Sequence, residues 1–419
     1  MTADGYGQAG FVERLRSDAV VVSFWVWSAI LSFQFLTFDW EVAGSSAFAY
    51  QVIGLFQFVA IAGIALGARI PSVLAGYHPL QLAILTVVFL SIALQLHGDA
   101  PQILTGIGYT LALITTTVLL SALATLDQRA LTACFAGKAI VLIAFAPVAF
   151  LLFGLPEGRK LGGIHPNQVG QVMLFAFVFS LFWRHAFMLA IRTAAVVVAA
   201  SVSSRYAVIG CLLSLVVFEL TYRPLSSRLI IMVGLATVAV VFMHDQFVDL
   251  LALNDPTRNL DSGLSGREDQ WTHALKALSE NPLGMGFKRP SVEEAGHNGY
   301  FKALLEFGIP GGGIIIAAIL GIVVTSALTA VWLRGSDERR RFAAARTGGL
   351  AALTFAAFFE PQMFNLGDNY GISFLLLLFW PGLAAGHARG AGAFIPHSRV
   401  LRRVTVSTDA RARPAGTRQ

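Results

Sequence analysis

Long apolar runs alternate with short polar segments along this chain, and one polar interval is much longer than the others. An apolar run of about 20 residues is long enough to cross the hydrocarbon core of a bilayer as a helix. Twelve such runs are legible. They are Val20 to Phe38, Phe48 to Gly67, Pro79 to Leu96, Ile103 to Leu126, Leu131 to Phe153, Val169 to Trp183, Phe187 to Ser201, Tyr206 to Leu220, Leu229 to Met243, Ile309 to Leu333, Ala343 to Phe359 and Gly371 to Gly386. The middle runs are short for a crossing, so Phe187 to Ser201 and Tyr206 to Leu220 are the pair most open to a different pairing.

The pattern predicts an all-α polytopic membrane protein of about 12 transmembrane helices with one large loop containing amphipathic helices. Its parts are an N-terminal segment 1–19, membrane helices over 20–243, the loop 244–308, membrane helices over 309–386 and a basic tail 387–419. Within the loop, Ser265 and Glu268 fit a capping box. Trp271, Leu275 and Leu278 follow at helical spacing until Asn281-Pro282 stops the helix, which predicts an amphipathic helix along the membrane interface. A second helix is expected to begin near His297, to carry Phe301, Leu304 and Leu305 inward, and to end at Gly308-Ile309-Pro310.

Charge gives the runs a direction. Arg14 and Arg16 precede the first run, and with that end inside, Arg69, Arg129, Arg184, Arg192, Arg223, Arg228, Arg334 and Arg339 to Arg341 all fall inside, as does the tail. The loop then faces outward, together with Arg159, Lys160, Arg205, Arg258, Arg267, Lys288 and Arg289. Cations on the side that topology keeps poor in them suggest a bound anion. The net charge of +6 is scattered over loops and tail, so no nucleic-acid partner is expected. With 56% hydrophobic and 13% charged residues, against roughly 25% charged in soluble domains, a soluble enzyme is excluded.

A guanidinium holds phosphate oxygens bidentately at any physiological pH, which suits Arg205 and Arg267 to a departing diphosphate. Arg205 stands in a short polar turn between apolar runs, where snorkelling to lipid headgroups is the plainer alternative. Arg267 opens a helix, where Glu268 and Asp269 could simply neutralise it. His297 precedes Asn298-Gly299 at a helix start, and a neutral imidazole there could take a proton from a hydroxyl. An ordinary loop histidine is the alternative for it, and His165, His244 and His273 dilute the choice. No HExxH, DxD-type or phosphate-loop motif is present, so no metal and no nucleotide cofactor are expected.

Gly263-Leu264-Ser265-Gly266-Arg267 with Trp271, then Asn281 to Phe287, His297 to Tyr300 and Leu305 to Gly311, resembles the O-antigen ligase and polysaccharide polymerase superfamily. Gly162 to Asn167 and Ser204-Arg205 resemble its shorter upstream motifs. The resemblance implies a C-type, metal-independent glycosyltransferase of the bacterial inner membrane with its active site facing the periplasm. Its donor would be an undecaprenyl-diphosphate-linked glycan, and its acceptor another glycan or lipid A core.

Carried onto this sequence, His297 would be the acceptor-activating histidine, and Arg267 and Arg205 would hold the diphosphate. Asn298 and Asn167 would line the cavity, with Lys288, Arg289 and His165 as further substrate contacts. The loop is short for the family, and Lys288-Arg289 is unusual after Gly-Phe. The motif forms favour a polymerase of exopolysaccharide or O-antigen, which would work beside a flippase and a chain-length regulator. The alternatives are an O-antigen ligase and, in another class, a polysaccharide or anion transporter. A transporter would show two similar halves, whereas the motifs here sit in one asymmetric loop.

Overall fold

The computed structural model of the chain describes residues 77–95, 128–154, 166–223, 267–287, 289–290, 294–333, 337–361 and 369–380, with a few isolated positions besides. Apolar runs within these segments are helical and no strand occurs among them, because a backbone in lipid must satisfy its own polar groups. In chain order the helices are α1 (Pro79–Gln95), α2 (Gln128–Phe153), α3 (Pro166–Ser180), α4 (Ala186–Ser201), α5 (Arg205–Tyr222), α6 (Arg267–Glu280), α7 (Gly299–Trp332), α8 (Asp337–Ala356) and α9 (Asn369–Leu378).

Three stretches, Ala130–Phe153 in α2, Arg205–Tyr222 in α5 and Gly299–Trp332 in α7, are long and apolar enough to cross a membrane. α1 and α4 are shorter apolar helices. The two short runs flagged in the sequence are both helices, joined by the turn at Val202 to Ser204. Runs Val20 to Phe38, Phe48 to Gly67, Ile103 to Leu126 and Leu229 to Met243 lie outside the described residues apart from isolated positions, as do the expected end segments 1–19 and 387–419.

α3 is the centre of the bundle. Every residue from Val169 to Ser180 is buried, as expected of a helix apolar all round, and α2, α4 and α5 flank it. The helix and the turn after it lock to α2 through aromatic rings, with Phe135 stacked on Phe179 of α3 at 5.4 Å and on Phe182 of the turn at 4.6 Å. α5 lies along α8, close enough that a Cβ on Gly348 would sit 2.5 Å from the Ser214 carbonyl oxygen. Small residues permit such close approaches where lipid removes any hydrophobic drive for helix association.

The end of α9 shows how buried carbonyls are satisfied. Arg346 Nε donates to Leu377 O at 2.7 Å, and its Nη2 donates to Leu378 O at 3.3 Å. Gln81 Nε2 donates to Leu378 O at 2.7 Å and to Trp380 O at 3.1 Å. Helix C-terminal carbonyls have no intrahelical partner, and each one orphaned in the interior costs about 1–3 kcal/mol. Arg346→Leu is therefore expected to lower the unfolding midpoint in detergent by an amount matching one or two such losses. An unchanged midpoint would refute the capping role.

α7 consists of two helices that meet at Gly308, whose φ of 74° and ψ of 171° are not helical, two residues before Pro310, so the first of them ends where the sequence placed its end. A proline removes a helix hydrogen bond and clashes with the preceding turn, so the kink falls where the backbone must yield.

Candidate active site

Pro166 opens α3 at the position where its missing N–H costs nothing, and Asn167 follows it. The Asn167 carbonyl accepts from the Tyr206 hydroxyl at 2.5 Å, which ties the start of α3 to the start of α5. Asn167 Nδ2 donates to Glu360 Oε1, just beyond the end of α8. The Phe359 ring lies parallel to Tyr206 at 6.4 Å. Arg205 is the first residue of α5 and is half-buried. The preceding turn holds Ser203 at φ 52°. Ser204 is 1% exposed, and its Oγ has no hydrogen-bond partner among the described residues.

The same end of α8 receives the start of α7. Gly299 N donates to Ala357 O at 2.7 Å, and the Tyr300 hydroxyl donates to Thr354 O at 2.9 Å. Asn298 is 3% exposed and its Oδ1 accepts from Tyr300 N at 2.8 Å and Phe301 N at 3.2 Å. It is thus the N-cap of α7. His297 stands immediately before it, half-buried, with φ at 52°. A non-glycine residue in that left-handed region is uncommon and directs attention to function.

α6 is clamped beside this loop. Trp271 Nε1 donates to Gly296 O at 3.1 Å, and its ring meets Phe301 edge-on at 6.0 Å. Ala274, Leu278, Ala295 and Leu305 form a small separate core with Ala277, Met285, Phe301 and Leu304 packed against it. Of the predicted apolar stripe Leu278 is buried here and Leu275 is 54% exposed, while Ala274 is fully buried. α7 approaches α6 on the Ala274 side. Leu305 points inward fully, whereas Phe301 and Leu304 are half-buried.

The glycine motifs meet across a backbone crossing. Met285 N donates to Leu305 O at 2.6 Å and Ile309 N donates to Pro282 O at 2.9 Å. Gly284 (φ 94°) and Gly308 (φ 74°) face each other there. A Cβ on Gly284 would lie 2.5 Å from Gly308 N, and one on Gly308 would lie 2.5 Å from the Leu283 carbonyl carbon. One turn after the His297 loop, Lys302 and Glu306 form a buried ion pair at 3.9 Å.

The starts of α3, α5 and α7 therefore gather around the end of α8, bringing Asn167, Arg205 and the His297-Asn298 loop to one end of the bundle. Helix N-termini carry partial positive charge and favour anions. Arg267 opens α6, and Arg289 is exposed beyond Phe287, whose ring packs on Phe307 at 5.7 Å. His165, Lys288 and the capping residue Ser265 lie outside the described residues. Tyr206, Ser204 and Glu360 were missed as site residues. The one available signal was an acidic residue, Glu360, directly after an apolar run and before Pro361.

Residues 186–316 match the family model described as O-antigen ligase. The segment that carries the motifs is thus similar to the O-antigen ligase and polymerase superfamily that the sequence motifs resemble. The family match takes in Arg205, Arg267, Lys288, Arg289, His297 and Asn298, while His165, Asn167 and Glu360 lie outside it. A search of curated proteins finds no match. The matched segment holds α4 to α6 and the first part of α7, and two of the three helices long and apolar enough to cross a membrane begin within it.

Proposed function

We propose that this chain is a polysaccharide polymerase of the bacterial inner membrane. It transfers a glycan from undecaprenyl diphosphate to a lipid-linked glycan acceptor on the periplasmic face. The supporting observation is the gathering of three helix starts, with Arg205 on one and the His297 loop on another, around Asn167 and Glu360. In this reading the fold has twelve membrane helices and 244–308 forms the outer catalytic loop.

The acceptor hydroxyl oxygen attacks the anomeric carbon of the donor, and the bond from that carbon to the diphosphate oxygen breaks. His297 takes the hydroxyl proton. Arg205 and Arg267 bind the diphosphate as its charge grows, an interaction stronger in the transition state than in the ground state. Lys288, Arg289 and His165 supply further substrate contacts. Asn298 acts by capping α7 and so fixing His297. Attack opposite the leaving group inverts the anomeric centre, and the donor's own diphosphate bond drives the reaction.

Glu360 is a positioning residue that holds Asn167 toward α5. Glu360→Ala is expected to cut polymer formation by roughly 100-fold, the scale of loss from about 1 Å of misplacement. Glu360→Gln keeps a hydrogen-bond acceptor and should recover most of the loss. Equal loss in both variants would rule out the tether as the reason.

The description of the matched family favours a second reading, a ligase that delivers the same donor glycan to lipid A core. Analysis of a null mutant separates the two. A polymerase defect removes long chains from every product, whereas a ligase defect leaves long chains accumulated on the carrier.

A further inference from the structure

α4 and α5 meet at the Val202 to Ser204 turn and diverge toward their other ends, because α4 packs mainly on α3. The gap is a cleft of about 840 Å³ at the end of the bundle opposite the candidate active site. Its walls include Leu189, Val197 and Leu212, all largely exposed. Arg184, Arg223 and Arg341 line its wider end, which the charge distribution assigns to the cytoplasm.

We propose that this cleft binds an anionic phospholipid of the inner leaflet, with an acyl chain between α4 and α5 and its phosphodiester among the arginines. An empty gap between membrane helices forfeits dispersion contacts on both walls, and a lipid chain restores them. Charge selects the headgroup. Arg341 is fixed over the rings of Phe218 at 5.2 Å and Tyr222 at 5.8 Å, and its buried Nε has no hydrogen-bond partner among the described residues. Arg223 lies over Tyr222 at 5.0 Å.

The lining acid is Glu219. The nearby Asp337 accepts from the Tyr222 hydroxyl at 2.7 Å and pairs with Arg184 at 3.8 Å across an exposed surface, where such pairing is weak. Arg192 is engaged with Ser180, its Nε donating to Oγ and its Nη2 to the carbonyl, each at 3.1 Å. A net cationic rim accepts a headgroup bearing only phosphate charge and repels the ammonium of a zwitterionic one. Basic residues between membrane helices on this side recognise such headgroups, at about 1 kcal/mol per residue.

The test titrates the purified full-length protein in detergent with phosphatidylglycerol and with phosphatidylcholine, reading bound lipid by native mass spectrometry. Phosphatidylglycerol is expected to bind roughly tenfold tighter, from more than one such arginine contact. The double variant Arg184→Gln with Arg223→Gln should erase that preference, whereas Arg339→Gln, outside the cleft, should preserve it. Leu212→Trp, which fills the gap, should remove the lipid while the arginines remain. Equal binding of the two lipids, loss in the Arg339 variant to match the double variant, or full retention in Leu212→Trp would each overturn the proposal. Tighter binding of undecaprenyl diphosphate at the same arginines would also overturn it. Should Leu212→Trp fail to purify, the exposed arginine variants decide.

Discussion

His297→Ala is expected to abolish polymer in membranes while the protein persists at its normal level. A positioned general base contributes about 10²–10⁴-fold to rate, and His297 is the residue assigned that role. The variant should spare the fold, because the helix start is held by Asn298 capping Tyr300 and Phe301 and by Gly299 bonding to Ala357. His297→Asn, which tolerates the φ of 52° as histidine does, is the companion variant and should lose polymer equally. Donor binding should be kept, since the arginines assigned to it are intact. Polymer of unchanged length and amount in His297→Ala membranes would end the catalytic assignment.

Gly308→Val should fail at an earlier stage, in assembly. Its Cβ would enter the Leu283 backbone at 2.5 Å, and the φ of 74° is one that a β-branched residue strongly resists. Neither obstacle can be relieved by a side-chain rotation, because the clashing atoms are main chain. Overpacking and backbone strain each cost about 1–3 kcal/mol, together a large share of a typical stability of about 5–15 kcal/mol. The small core of α6 and α7 depends on the same crossing, so Trp271 and the His297 loop should lose their fixed positions. The control is Gly313→Ala, where nothing lies within 4 Å of the added Cβ. Thermal unfolding and size-exclusion profiles should show loss for Gly308→Val and near-parental behaviour for Gly313→Ala. Matching profiles would contradict the crossing as a structural lock.

Much of this arrangement was legible before the structure, for reasons that particular residues show. Apolar length marked α2 and the later part of α7, because a bilayer sets one required length, whereas the run of α5 read as short until its helix was seen to take in Arg205 and Tyr222. Arg205, Arg267 and His297 stood out because charge and polarity are costly beside apolar runs. The tie from Asn167 to Glu360 spans 193 positions, and no local pattern encodes a contact between chain segments so far apart. Helical spacing put Leu275 on the apolar face of α6, but the approach of α7 decides which part of that face is covered, and it covers Ala274 and leaves Leu275 exposed. Alanine at position 274 was small enough to pass unnoticed. Gly284 and Gly308 read as helix breakers, and their mutual contact only emerged once two backbones were seen to cross.

The central claim is transfer of glycan with release of its carrier, and purified protein given an undecaprenyl-diphosphate-linked glycan tests it most directly. Longer glycan and free undecaprenyl diphosphate should appear together, one carrier released for each new glycosidic linkage, and both should fall in Arg205→Ala. A donor that stays intact, or crosses the membrane with its glycan unchanged and no carrier released, would contradict it.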